Sequence, residues 1–155
     1  MSDLKLNAPA PTFTLSDHAR NKVSLADFKG QQVVLAFFPA AFTGVCEKEL
    51  CTFRDALADL NNLDATVLGV STDGPFANAA FAEKNNLNFP LLSDVSHQTV
   101  KDYGVALENF AGVEGYTASQ RAVFIVDAEG NLSWSWVAPN PGVEPDYDAV
   151  KAALG

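Results

Sequence analysis

Three short apolar runs punctuate the chain: "VVLAFF" at 33–38, "TVLGVS" at 66–71 and "VFIVD" at 123–127. They are rich in β-branched and aromatic residues without strict alternation, the pattern of central strands covered on both faces. Between the first two, within "FTGVCEKELCTFRDALADLNNL", Leu50, Phe53, Leu57 and Leu60 recur at three- and four-residue intervals. That spacing predicts an amphipathic helix. With its flanking strands it makes a β-α-β unit, for which a right-handed crossover is expected. Further helices are expected around 75–86, after "STDGP", and around 97–103, where Asp94 or Ser96 can supply a cap. "AVFIVDAEGNLSWSWV" predicts a hairpin that turns at "AEGN" and carries Trp134 and Trp136 on one face of its second strand. "EPDYDAVKAALG" closes the chain as a helix, after a loop "APNPGVEP".

These elements need one core, and 155 residues suffice to bury it without disulfides, so residues 1–155 are expected to form a single α/β domain. Ten Lys and Arg against nineteen Asp and Glu leave a net charge of −9. Such a balance argues against a nucleic-acid backbone or an anionic membrane surface as the main partner. It suits solubility, or alternatively a salt-rich cytoplasm. "MSDLKLNAPAP" has neither a basic nor an apolar leader region, and "VVLAFFPAAF" is too short to span a bilayer, so a cytoplasmic protein is expected. Neither G-x-G-x-x-G nor G-x-x-x-x-G-K-[ST] occurs, which leaves nucleotide binding unsupported.

Both cysteines fall in "PAAFTGVCEKELC", residues 39–51. In a reducing compartment such a pair points to catalysis, redox chemistry or metal binding before a structural clip. Pro39 ends the first strand, and Thr43 is a good N-cap type, which makes Gly44, Val45 and Cys46 the first helical positions. A thiolate at Cys46 would accept from unpaired backbone N–H groups and feel the positive end of the helix dipole. The plainer alternative is a small buried apolar residue. Cys51 lies five residues further on. On an intact helix that places the two Cα atoms roughly 8.7 Å apart and about 140° around the axis, beyond the roughly 7 Å a disulfide tolerates. The pair is therefore either two independent thiols or the sign of a helix that melts locally on oxidation.

A metal site fits poorly, because only His18 and His97 are available, with no third cysteine. Glu49 shares a helical face with Cys46, although a solvated carboxylate there is equally compatible with the spacing. Glu47 and Lys48 read as exposed. Arg121 precedes the strand "VFIVD". If that strand runs antiparallel to "VVLAFF", its guanidinium arrives at the sheet end where Cys46 sits and can hold a thiolate; otherwise it is a solvated arginine.

Pro39, Thr43 and Cys46 spell P-x-x-x-T-x-x-C, which resembles the active-site signature of the peroxiredoxins. The resemblance extends in order through "APTFTLSD", "VLGVSTD", "FPLLSDVSHQTVKDYGV" and "SQRAVFIVDAEGN". It implies a thioredoxin-like fold, a central mixed sheet flanked by helices, and a cysteine peroxidase that needs no metal, haem or flavin. By the same resemblance Cys46 attacks a hydroperoxide and becomes a sulfenic acid. Thr43 contacts sulfur and peroxide, Arg121 stabilises both, Pro39 shields the site from water, and Glu49 orients the arginine. The physical reading converges on this chemistry, which requires a thiolate and donors aimed at both peroxide oxygens.

The C-x4-C spacing resembles the peroxiredoxin Q (bacterioferritin-comigratory) class, in which the second cysteine, here Cys51, resolves the sulfenic acid as an intramolecular disulfide. A thioredoxin-like partner then reduces it. "FFPAAFTGVCEKELCTFRD" also resembles the AhpE-like group, whose members are often one-cysteine enzymes resolved by an external, low-molecular-weight thiol. A third reading is a redox-sensing or holdase module that exposes Leu50 and Phe53 when the helix melts. Hydrogen peroxide and alkyl hydroperoxides both remain open as substrates, as do monomer and homodimer. Phe110 and Tyr116 in "NFAGVEGYT" are candidates for an apolar pocket or a dimer face.

Overall fold

The computed structural model describes residues 4–154, apart from the side chains of residues 57 and 58. An N-terminal hairpin, β1 (Thr14–Asp17) and β2 (Lys22–Ser24), leads through a short 3-10 turn at Leu25–Phe28 into β3 (Gln32–Phe37). Then come α1 (Gly44–Asn62), β4 (Ala65–Ser71), α2 (Pro75–Lys84), β5 (Leu91–Ser93) and α3 (Gln98–Asp102). A small pair, β6 (Ala106–Leu107) and β7 (Ala118–Ser119), precedes β8 (Ala122–Val126), β9 (Leu132–Val137) and α4 (Tyr147–Ala153). Seven strands form one sheet in the order β2-β1-β5-β4-β3-β8-β9. It is mixed: β3, β4 and β5 are parallel, whereas β8 runs antiparallel to β3 and β9 to β8.

The lack of alternation in the apolar runs has its explanation in β3. Val34, Ala36 and Phe38 point to a core shared with Leu50, Phe53 and Leu60 of α1, Phe81 of α2 and Val150 of α4. Val33, Leu35 and Phe37 point the other way, onto Val100, Tyr103, Phe13 and Leu25. Both faces are buried, so neither can be polar. The expected stripe on α1 faces the first core through Leu50, Phe53 and Leu60; the side chain of Leu57 lies outside the described residues.

Termini of elements follow local chemistry. Both expected acceptors act at the start of α3: Asp94 takes the N–H groups of Thr99 and Val100 at 3.2 and 2.8 Å, and Ser96 that of Gln98 at 3.3 Å. The hairpin turns where "AEGN" stands, with Gly130 at φ +88, a conformation that disfavours a side chain. Trp134 and Trp136 lie half-buried on one face, against the α1 side of the sheet. Asp146 caps α4 by accepting from the N–H groups of Asp148 and Ala149.

Gly69 in β4 marks a close approach, since a Cβ there would meet Leu91 Cδ2 at 2.6 Å and Phe38 Cε1 at 3.4 Å. Leu91 is fully buried and has little room to retreat. Gly69→Ala is expected to cost about 1–3 kcal/mol by overpacking, seen as a lower urea midpoint with an unchanged slope.

Candidate active site

The turn from β3 into α1 builds the site. Phe37 at the end of β3 pairs with Ala122 at the start of β8, so Arg121 stands beside the segment that carries Pro39, Thr43 and Cys46. The antiparallel pairing on which the sequence argument depended is present. Between them Phe42 adopts φ 65, a left-handed conformation uncommon for a side-chain-bearing residue. Asp73 holds this turn: its Oδ2 accepts the Ala41 N–H at 2.8 Å and the Ser71 hydroxyl at 2.9 Å. Sequence reasoning took "STDGP" only as a helix entry and missed that role.

Thr43 occupies the N-cap of α1 as expected, with extended backbone, but its hydroxyl does not cap. It donates to the Ala40 carbonyl at 2.8 Å. This leaves the lone pairs of Oγ1 and the free N–H groups of the first helical turn open to a ligand. Cys46 is the third residue of α1 and is fully buried.

Arg121 joins the pieces. Its Nη2 donates to Cys46 Sγ at 3.1 Å and its Nη1 to Glu49 Oε1 at 2.8 Å. Nε and Nη2 both donate to the Pro141 carbonyl, at 3.1 and 2.9 Å. The solvated alternatives for Arg121 and Glu49 are excluded, since their side chains are only 2% and 0% exposed. Burial pushes the Glu49 carboxyl up to about 7, against the pull of Arg121 and with help from the charge of Glu144. Glu49 Oε2 is buried and has no hydrogen-bond partner among the described residues. Burial works against the Arg121 cation too, but the charges of Glu49 and Cys46 outweigh it and hold the guanidinium above its ordinary range.

The loop before α4 closes one side. Pro141 supplies the carbonyl, and Glu144 ties the loop down, 3.1 Å from Lys48 Nζ and accepting the Tyr147 hydroxyl at 2.7 Å. Lys48 is exposed as read, while Glu47 is partly covered and pairs with Lys84 at 2.8 Å. A main-chain carbonyl carries no signature in sequence, so Pro141 had no signal to be found by.

Pro39, Thr43, Val45, Phe110, Arg121 and Pro141 are among the residues lining an open, mostly apolar cleft of about 250 Å³ over this cluster. Phe110 reaches it, braced edge-on by Tyr116 with ring centroids 5.5 Å apart. Cys51 stands five residues beyond Cys46 on the intact helix, half-buried, and donates to Asn85 Oδ1 at 3.5 Å. Both thiols are free. Among the described residues no three His, Cys, Asp or Glu side chains are grouped to hold a metal ion, and no helix is long and apolar enough to cross a membrane. The arrangement can present a sulfur nucleophile, a cation and helix N–H donors to one small polar ligand.

Comparisons with known proteins place the whole chain. Residues 6–135 match the model of the AhpC/TSA family. Peroxiredoxin Bcp of Escherichia coli (strain K12) is 40% identical over 132 residues, 85% of each chain. In structure, peroxidoxin BcpB of Mycobacterium tuberculosis superimposes with a TM-score of 0.85 at 28% identity, covering 97% of this chain and 96% of that one. The bacterioferritin comigratory protein of Xanthomonas campestris gives 0.83 at 28% identity, covering 99% and 97%.

Proposed function

The chain belongs to the AhpC/TSA family with a thioredoxin-like fold, and on that premise we propose that Cys46 reduces hydroperoxides and that Cys51 resolves the product. The protein is a thiol-dependent peroxidase, an assignment supported by its likeness to peroxiredoxin Bcp and to a protein whose alkyl peroxide reduction activity is described. The observation that carries the residue roles is the Arg121 Nη2 to Cys46 Sγ contact of 3.1 Å at the third position of α1. Arginine can only donate, so the sulfur accepts, which suits a thiolate.

In the first step Cys46 sulfur bonds to the terminal oxygen of the peroxide and the O–O bond breaks. Sulfur is oxidised to a sulfenic acid, and the peroxide leaves as alkoxide or hydroxide, which takes a proton from solvent. Arg121 and the first N–H groups of α1 are placed to stabilise the charge that passes from sulfur to oxygen. The Thr43 hydroxyl, anchored on Ala40, presents its lone pairs towards the peroxide proton, while Pro39 and Pro141 keep water off the sulfur. Glu49 holds Arg121 in place.

In the second step the Cys51 thiol displaces water from the sulfenic acid and an intramolecular disulfide forms. Both cysteines sit on the continuous helix Gly44–Asn62. Its first turns must therefore unwind before the sulfurs meet. A thioredoxin-like or low-molecular-weight thiol then returns both cysteines to the reduced state. No second protomer is needed for this cycle, so one thioredoxin-like domain, as a monomer or a homodimer in the cytoplasm, can complete it.

Intact mass after one equivalent of hydrogen peroxide, under non-reducing conditions, tests the reading. Wild type is expected to lose two hydrogens, and Cys51→Ser to gain one oxygen and keep it. Retention of the oxygen by wild type would instead make Cys51 a bystander and an outside thiol the resolver. No change in either protein would remove the peroxidase assignment.

A further inference from the structure

Asn85 is the C-cap of α2 and lies half-buried against α1. Its amide oxygen accepts from Cys51 Sγ at 3.5 Å. Its amide nitrogen donates to the Phe81 carbonyl at 3.1 Å, which fixes the orientation that turns the oxygen towards the thiol. Its main-chain carbonyl accepts from Arg54 Nη1. One residue of α2 thus meets two of α1, and Lys84 beside it meets a third through the 2.8 Å pair with Glu47. Glu47, Cys51 and Arg54 are spaced i, i+4 and i+7, one stripe of α1 facing the end of α2.

This stripe is polar and runs alongside the apolar one, and it has no part in binding or attacking peroxide. It does cover the stretch that has to unwind. When α1 melts, the Glu47 pair and the Cys51 bond must both break. Asn85 itself stays in place, held by Phe81 within its own helix and gripped by Arg54 beyond the second cysteine.

We propose that Asn85 is a positioning residue for the resolving step: its pinned amide oxygen holds the Cys51 thiol on the folded helix and so sets how long the Cys46 sulfenic acid survives. The inference rests on the peroxidase reading. During that lifetime two reactions compete. Cys51–SH and Cys46–SOH form the disulfide and release water; a second hydroperoxide instead transfers one oxygen to the sulfenic acid, leaving a sulfinic acid and an alcohol. A tighter hold on Cys51 favours the second outcome.

Asn85→Ala removes the acceptor and keeps the main-chain carbonyl. Followed by rapid-quench mass spectrometry, this variant is expected to consume the first peroxide at the wild-type rate. It should form the disulfide about two- to fivefold faster, the lower part of the range for one hydrogen bond because a thiol is a weak donor, and accumulate correspondingly less sulfinic acid.

Hydrogen exchange over residues 44–51 separates this bond from a general loosening of α2. Asn85→Ala should speed that exchange about two- to fivefold when Cys51 is present and leave it unchanged in a Cys51→Ala chain. An unaltered rate of disulfide formation, or an equal gain in exchange with and without Cys51, would overturn the proposal. Failure of every protein to consume peroxide would count against the peroxidase reading, and the exchange measurement would still decide the role of Asn85.

Discussion

Arg121→Leu is expected to slow the first turnover with hydroperoxide by about 10²–10³-fold, the usual loss when one charge-stabilising donor is removed. It should also destabilise the fold by about 3–5 kcal/mol. The two effects have different origins. The rate falls because Nη2 no longer meets the sulfur at 3.1 Å and no cation faces the leaving oxygen. The stability falls because Glu49, 0% exposed, loses the partner that Nη1 supplied and because the Pro141 carbonyl loses both of its donors. Replacing both members of a buried pair by apolar side chains is generally far less costly than removing one. Arg121→Leu/Glu49→Leu should therefore recover much of the lost stability in urea unfolding while remaining as slow with peroxide as Arg121→Leu. A double variant that recovered activity as well would mean that Arg121 serves only to keep Glu49 neutralised, and the electrostatic role assigned to it would fall.

How much of this was readable from the chain depends on whether a feature is carried by side-chain pattern or by backbone geometry. Strands β3, β4 and β8 are legible because each must be apolar on both faces, which leaves an uninterrupted run. α1 is legible because Leu50 and Phe53 face one core. By contrast β1, β2 and β5 to β7 are two to four residues long. Segments so short offer no periodicity to read, even where they lie inside the sheet, as β5 does between β1 and β4. Within the site, Cys46, Thr43, Glu49 and Arg121 were named from spacing and resemblance, and the fold brings them together. The Thr43 hydroxyl does otherwise than its N-cap position suggests, donating back to the carbonyl of Ala40 and leaving the helix N–H groups uncapped by its side chain. Asp73, Asn85 and the Pro141 carbonyl escaped notice for a common reason. Each acts on α1 or its approach from a distant segment, and only the tertiary fold sets those separations.

The buried carboxyl of Glu49 makes stability depend on pH, with the sign opposite to that of an ordinary salt-bridged acid. Its ordinary value of 4.5 is pushed up to about 7, chiefly by burial. Between those values the folded chain keeps a proton that the unfolded chain has released. Stability must consequently fall as pH rises from 4.5 to about 7 and level off above it. A shift of that size corresponds to about 3 kcal/mol at about 1.4 kcal/mol per unit. Oε2 gives the effect a structural basis, since Arg121 bonds only Oε1 and the second oxygen carries its share of charge with no hydrogen-bond partner among the described residues. Glu49→Gln retains an oxygen for Arg121 Nη1 but cannot ionise. Subtracting the urea-derived stability of this variant from that of wild type, at intervals from pH 4 to pH 9, isolates the one group. The difference should decline by about 3 kcal/mol across the window and run flat on either side. A flat difference throughout would mean that Glu49 stays ionised beside Arg121 at all these pH values, and the pair would then be a conventional buried salt bridge.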